Sequence, residues 1–253
     1  MLDVKDAIEP FLEKLELHSH LGSDELRALR SLPTVLTRID QYEDVVRPGQ
    51  IVDHACLIAE GMMGRFAIGL EGARQTTGLH VAGDWADLYS VVVPRAGRAL
   101  QTLTPTTCLR IPNGHLRKIA HDYPLIAEAF WRECVIEAAI LGEWIVNLGS
   151  RKAPARVANL LCELACRLKR SPLDREHDYA LPLTQQQLAD ILGLTVVHVN
   201  RTLKLLREEN LVTIRHHHVS ILDWDGLCRL GEFDASYLQL GKTVNGLQQK
   251  AMA

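Results

Sequence analysis

The 253-residue sequence lacks the patterns that most enzymes carry. It has no Gly-x-Ser-x-Gly nucleophile elbow, no complete Gly-x-x-x-x-Gly-Lys-Ser/Thr phosphate loop and no His-Glu-x-x-His zinc motif. Its histidines show no recurring ligand spacing. We therefore expect no catalytic residues and no bound metal, and the chain is predicted not to be an enzyme.

Long apolar runs are also absent. No segment approaches the roughly eighteen apolar residues that a membrane span needs, and charges occur throughout the first thirty residues. We expect no signal peptide and no membrane contact, and hence a cytoplasmic protein. None of the six cysteines forms a Cys-x2-Cys pair, so free thiols are expected. Cys162 and Cys166 could bind metal or sense oxidants, but their apolar neighbours favour simple burial.

Residues 184–211 have the pattern of a helix-turn-helix. Thr184 can cap a first helix, Gly193 can close its last turn in the left-handed conformation, and Thr195 can cap a second helix. Apolar residues at helical spacing bury one face of each helix. The outward side chains of the second helix are candidates for DNA contact, namely Val197, Asn200, Arg201 and Lys204.

Two β-prone runs follow the second helix. Residues 211–214 and 219–222 flank Arg215 and three consecutive histidines, which predicts a hairpin and thus a winged helix. The histidines could bind a metal or contact DNA phosphates. The second interpretation is favoured, because consecutive side chains in a strand or turn point to different sides. His217 is therefore a predicted DNA contact.

The net charge of −3 is unevenly distributed. Residues 1–150 carry 14 basic and 20 acidic side chains, whereas residues 151–222 carry 11 basic and 7 acidic ones. Phosphate neutralisation requires local positive charge, so the basic segment at the helix-turn-helix favours double-stranded DNA as a partner.

The part before the helix-turn-helix has two patterns. From about Thr34 to Ile111, short apolar runs broken by glycines predict an antiparallel roll or barrel. Pro124 opens a helix to about Leu148 whose near-heptad spacing favours pairing with a copy of itself, although burial in its own domain is the alternative. The predicted domains are residues 1–123 (β-roll), 124–150 (dimerisation helix and hinge), 151–223 (winged helix-turn-helix) and 224–253 (C-terminal helix and tail).

This order of parts resembles the Crp/Fnr family of bacterial transcription regulators. The most specific resemblance runs from Leu183 to Ala189 and from Val199 to Leu203. It implies an α+β fold with a cyclic-nucleotide-binding-like antiparallel β-roll, a long central dimerisation helix and a C-terminal winged helix-turn-helix. It also implies a homodimer that binds a palindromic operator, contacts RNA polymerase and receives a signal, such as a small-molecule effector, at the roll.

The resemblance assigns base reading to Val196, Val197, Asn200 and Arg201, with Thr195 near the phosphates. Only Arg201 matches the best-known members, which carry an Arg-Glu pair where this chain has two valines. Arginine can bind guanine and asparagine can bind adenine in bidentate fashion, whereas valine can only touch a thymine methyl. Sequence readout should therefore depend mainly on Arg201 and Asn200.

The resemblance also indicates an effector pocket whose residues are Gly83, Asp84, Asp87, Leu88 and Arg98. Asp87 stands where the family has a ribose-binding glutamate. Arg98 is displaced by one position from the phosphate-binding arginine and so falls on the opposite face of a strand. We therefore do not expect cyclic AMP to bind. An iron-sulfur cluster is not expected either, because the first cysteine is Cys56.

Two other functions remain open at this point. The chain could be a ligand-sensing or redox-sensing module that acts mainly through protein contacts and binds DNA weakly. It could also be a regulator controlled only by its own abundance, with a filled roll. Salt-dependent, sequence-specific binding to an inverted repeat would favour the regulator.

Overall fold

The structure is a computed structural model that describes residues 3–168 and 177–240. The helices are α1 (Val4–His18), α2 (Ser23–Arg30), α3 (Asn113–Asp122), α4 (Pro124–Ser150), α5 (Ala153–Arg167), α6 (Gln185–Leu192), α7 (Val196–Glu208) and α8 (Trp224–Gly231). The strands are β1 (Val35–Ile39), β2 (Asp44–Val46), β3 (His54–Glu60), β4 (Met63–Ile68), β5 (Arg74–His80), β6 (Ala99–Thr102), β7 (Thr106–Pro112), β8 (Asp178–Ala180), β9 (Val212–Arg215) and β10 (His218–Ile221). Among the described residues, no helix combines the length and apolar character that crossing a bilayer requires.

The described residues pack as two compact units. One contains residues 3–66, 79–140 and 236–240, and the other contains residues 67–78 and 141–235. The division therefore falls inside α4, whereas the boundary expected from the sequence, near residues 149–153, coincides with the end of that helix.

The first unit is built on the predicted roll. One sheet has the order β1-β7-β3, and in the other β6 lies between β2 and β4; β7 and β6 each pair with both of these neighbours in antiparallel fashion. The two sheets share a core to which each contributes buried side chains. Its members include Val46, Ile58, Met63, Leu100 and Cys108.

Helices cover the outer face of the three-stranded sheet. Phe11, Leu12 and Leu15 of α1 recur at helical spacing, and all three are buried against β3, β7 and the first part of α4. Trp85 lies between Phe11 and Phe130, with edge-to-face ring contacts of 5.3 and 6.1 Å between centroids. The roll is thus closed on one side by α1 and α4.

Helix α4 is apolar on two faces. Ile126, Phe130 and Trp144 are buried, whereas other apolar side chains of the same helix are exposed. The exposed residues recur every three, four or seven positions and include Trp131, Val135, Ala138, Gly142 and Ile145. We call these five residues the α4 stripe. No neighbour within the described chain covers it, because Trp131 is 70% and Ile145 72% exposed.

The second unit contains the helix-turn-helix. Helix α5 packs on α7 and α8, and β9 and β10 form the predicted hairpin within one residue of the expected limits. The sequence did not indicate β8, which adds a third strand to this sheet by pairing with β10. The predicted C-terminal helix is α8, and it packs against α5.

Candidate nucleic-acid interface

The first helix of the motif begins and ends as its sequence predicts. Thr184 accepts a hydrogen bond from the Gln187 N–H (3.2 Å), and the Gln187 side chain accepts one from the Thr184 N–H (2.7 Å), which together form a capping box. At the other end, Gly193 has φ +59, a left-handed conformation in which any side chain would be strained.

The end of α6 is also held from outside the motif. The Gln75 amide donates to the carbonyls of Asp190 (2.9 Å) and Ile191 (3.3 Å), and Arg156 donates to the carbonyl of Leu192 (3.3 Å). These bonds satisfy carbonyls that have no partner within the helix. The turn that sets the direction of α7 is therefore held by β5 and α5 as well as by Gly193.

Helix α7 presents the predicted face to solvent. Thr195 caps it by accepting from the His198 N–H at 3.3 Å. Val199, Leu203 and Leu206 are buried, whereas Val197, Asn200, Arg201 and Lys204 are exposed and Val196 is half-buried. Lys204 lies 3.5 Å from Glu208, and Arg201 forms no ion pair with any other described residue. Arg201 is thus free to bind an external acceptor.

The wing ends in a two-residue turn. His216 and His217 both have positive φ, at 49° and 61°, which is the geometry of a type I′ hairpin turn and is strained for residues other than glycine or asparagine. The Leu181 N–H donates to the His217 carbonyl at 2.7 Å and holds the turn from the side of β8. The exposed imidazole of His217 stands at the tip of the hairpin.

The predicted effector residues of the roll mostly point into the protein. Asp84 accepts from Lys14 Nζ and from the Val81 N–H, both at 2.9 Å, and Leu88 is buried. At Gly83 an added Cβ would lie 3.0 Å from the Pro10 carbonyl oxygen. These residues and Asp87 share one turn. Arg98 does not join them, since it is exposed and donates to the carbonyl of its neighbour Gly97.

A guanidinium that the sequence analysis missed does lie beside this turn. Arg65 donates to the Ala86 carbonyl and to Glu137 of α4 (2.6 Å), and its guanidinium carbon lies 5.1 Å from the centre of the Tyr89 ring. Glu137 is 72 positions away along the chain, so no local pattern indicates the pair.

Asp87 is a buried carboxylate in the same turn. One oxygen accepts from the Cys56 N–H at 2.6 Å. Burial raises the pKa of Asp87 to about 6; the Cys56 hydrogen bond, His54 and Arg65 only partly offset that effect, and Glu137 adds to the rise. At neutral pH the protein therefore holds this carboxylate ionised at a cost in stability.

Replacing Asp87 by asparagine tests this directly. Because its pKa is raised, the protonated carboxyl of Asp87 stabilises the folded protein fully below about pH 4, and this stabilisation is lost as the pH rises through about 6. Asparagine does not titrate, so the unfolding free energy of the variant should rise relative to that of the wild type across this pH range. The expected gain in unfolding free energy is about 2 to 3 kcal/mol between pH 4 and pH 7. Urea titrations at each pH measure it, with Asp24→Asn as the exposed control. If the difference in unfolding free energy between the variant and the wild type did not change with pH, Asp87 would not have a raised pKa.

Metal binding has no support in the geometry of the described chain. In residues 3–168 and 177–240, no three or more His, Cys, Asp or Glu side chains are arranged to hold an ion. The wing histidines are no exception.

Comparisons with known proteins agree with this architecture. The family model for the Crp-like helix-turn-helix domain matches residues 155–230. Transcriptional activator protein Anr of Pseudomonas protegens is 23% identical over 219 residues, which cover 87% of this chain and 89% of the relative. Electron transport regulator A of Shewanella oneidensis is 23% identical over 203 residues, covering 80% and 81%.

A solved structure has the same fold. FixK2 from Bradyrhizobium japonicum superposes with a TM-score of 0.72 at 22% identity, over 79% of this chain and 98% of that one. The β-roll, the long helix and the Crp-like helix-turn-helix occur together here, and the curated relatives are transcription regulators rather than enzymes. Residues 155–230 are thus a Crp-like helix-turn-helix domain, and the chain as a whole is similar to transcription regulators of the Crp/Fnr family.

Proposed function

We propose that this regulator binds a two-fold symmetric operator as a homodimer, with α7 of each subunit in the major groove of one half-site. The observation that carries the proposal is the solvent-facing side of α7, where Arg201 forms no ion pair with the described residues and lies beside exposed Asn200 and Val197. Arginine and asparagine are the side chains that read guanine and adenine edges in bidentate fashion.

The proposed contacts divide by chemistry. Arg201 and Asn200 read base edges, and Val196 and Val197 pack on thymine methyl groups. Thr195, at the N-terminus of α7, lies where backbone N–H groups attract a phosphate, and Lys204 and His217 supply further phosphate contacts. His217 is exposed in the two-residue turn of the wing, which suits a contact outside the groove that α7 occupies.

Dimerisation through the α4 stripe supplies the two-fold symmetry. The stripe combines large apolar side chains with Ala138 and Gly142, whose small size allows a second helix to approach closely. Two half-sites are then read with centres about one helical turn (~10 bp) apart.

The proposed regulator has two further partners, an input signal and RNA polymerase. The roll receives a signal, with a small-molecule effector or the redox state as the input, and RNA polymerase is contacted when the dimer is on its operator. The similarity to Crp/Fnr regulators supports both parts, and a cytoplasmic protein with access to the chromosome belongs to the same proposal.

The test is selection of bound genomic fragments with purified protein, followed by footprinting of the best fragments at two salt concentrations. A protected inverted repeat whose affinity falls steeply with salt supports the proposal. Tight binding to a protein partner, with no preferred DNA site in either salt, would instead favour the sensing module that acts through protein contacts.

Replacing Arg201 by alanine should remove discrimination at one base pair of each half-site. A lost bidentate contact corresponds to about 1 to 3 kcal/mol, or roughly a fivefold to 150-fold loss of preference for the cognate base, while most nonspecific binding remains. Competition binding with operators changed at single positions measures this preference.

Lys204→Ala is the matched control, since Lys204 is also exposed and lies about one helical turn further along α7. A phosphate contact carries no sequence information, so this variant should bind all sequences more weakly and show a salt slope reduced by about 1. If Arg201→Ala behaved in the same way as Lys204→Ala, Arg201 would not read a base.

A further inference from the structure

Two cysteines of the DNA-binding unit meet side chain to side chain. Cys162 lies on α5 and Cys228 on α8, and their Sγ atoms are 3.8 Å apart. Cys162 is completely buried and Cys228 is half-buried. Sequence analysis considered Cys162 and Cys166 together as a possible metal-binding or oxidant-sensing pair. In the structure the sulfur in contact with Cys162 is that of Cys228, 66 positions away.

The two helices are held together one turn from these thiols. Gly231 approaches α5 so closely that an added Cβ would lie 2.7 Å from the Asn159 nitrogen, and the Asn159 side chain donates to the Gly231 carbonyl at 3.1 Å. Gly231 and Asn159 each lie three residues from a cysteine of the pair. The contact between the sulfurs is therefore fixed by the packing of α5 on α8.

We propose that Cys162 and Cys228 form an intramolecular disulfide under oxidising conditions, and that this bond stabilises the winged-helix unit. The segment between the two residues contains α6, α7 and all three strands of the wing sheet. A bond at its ends would close one loop around the whole DNA-binding motif. Bonding needs an approach of the sulfurs by roughly 2 Å, which is the scale of a side-chain rotation.

The chemistry requires a two-electron oxidant, of which hydrogen peroxide is the probe. The Cys228 thiolate, on the more accessible side, attacks a peroxide oxygen; the O–O bond breaks, and a sulfenic acid and one water form once the leaving hydroxide takes up a proton. Cys162 then attacks the Cys228 sulfur and displaces hydroxide, which leaves as a second water. Two thiols lose two electrons and two protons to one peroxide, which becomes two waters.

Burial raises the pKa of both thiols, which makes the reactive thiolate scarce. The reaction is therefore slow, and the pair responds to sustained rather than brief oxidation. Stabilisation follows because the bond restricts the unfolded chain, an effect that grows with the length of the closed loop.

The test uses the full chain with and without hydrogen peroxide. Free thiols are alkylated, and the digested protein is searched by mass spectrometry for the Cys162–Cys228 linked peptide. We expect that peptide together with a rise of roughly 10 °C in the melting temperature of the DNA-binding unit, reversed by a reductant. Both effects should disappear in Cys228→Ser and persist in Cys166→Ser, the matched control one turn from Cys162.

Peptide mapping of the wild type decides the question even if a variant fails to fold. Three results would overturn the proposal. Cys162 and Cys228 could stay reduced, could be oxidised only to sulfinic acids, or could be linked to other cysteines. If hydrogen peroxide still raised the melting temperature of Cys228→Ser, the rise would not come from this disulfide, and the proposed stabilisation by the bond would be wrong.

Discussion

A single arginine in place of Val135 should give a folded monomer whose affinity for the operator is lower by at least about a hundredfold. Val135 lies in the α4 stripe and is 56% exposed, so the substitution removes little packing within its own subunit. In a dimer, however, the same position would bury a guanidinium against a second helix without a counter-charge.

The loss of DNA affinity follows from the loss of the second half-site contact. When two recognition helices are joined in one dimer, binding of the first raises the effective concentration of the second, which strengthens binding by about 10² to 10⁴-fold. A monomer keeps Arg201 and the rest of the α7 face but loses that gain. Sedimentation velocity measures the association state, and titration of a labelled operator measures the affinity.

Val93→Arg is the control for this prediction. Val93 is 57% exposed and lies in the roll, outside α4, so it tests the effect of an added charge at equal exposure. We expect this variant to remain dimeric. A Val135→Arg protein that still sediments as a dimer at micromolar concentration would place the subunit interface away from the α4 stripe.

The helix-turn-helix was predictable because its signals are local. Thr184, Gly193 and Thr195 each act on backbone groups within a few residues, so the start, turn and restart of the motif can be inferred without knowledge of the rest of the chain. The exposed face of α7 then follows from the buried positions by helical geometry alone.

Interactions between distant segments were not predictable. Gln75 holds the end of α6 from 115 positions away, and Lys14 bonds to Glu133 at 2.7 Å across 119 positions. β8 has only three residues and is a strand only because β10 pairs with it. The sequence placed Asp87 in its turn. It could not predict the hydrogen bond from the Cys56 N–H to Asp87, because that bond depends on how β3 packs against the turn.

Removing the carboxylate of Glu163 should cost the DNA-binding unit about 3 to 5 kcal/mol of unfolding free energy. Glu163 is fully buried on α5, where it accepts from the Trp144 indole N–H at 2.9 Å and from Arg167 at 2.7 Å. In Glu163→Ala the Arg167 side chain, only 8% exposed, would lose the buried carboxylate that it pairs with at 2.7 Å. The indole N–H would also lose its acceptor.

Unfolding in urea, followed by circular dichroism, measures the loss, and hydrogen exchange of the α5 amides assigns it to the second unit. Glu163→Gln keeps an acceptor for Trp144 but removes the charge, so its loss should lie between those of the wild type and Glu163→Ala. An alanine variant within about 0.5 kcal/mol of the wild type, the usual range for surface substitutions, would contradict the prediction.

The double variant Glu163→Leu/Arg167→Met separates the two reasons for that loss. If the cost comes from the loss of the Glu163 carboxylate as the counter-charge of Arg167, removing both charges should restore most of the stability, because apolar side chains of similar size can replace a buried ion pair at little cost. Trp144 would still lack an acceptor, which leaves a residual loss of about 1 to 3 kcal/mol. A double variant as unstable as Glu163→Ala would mean instead that Glu163 acts mainly as the acceptor that ties α4 to α5.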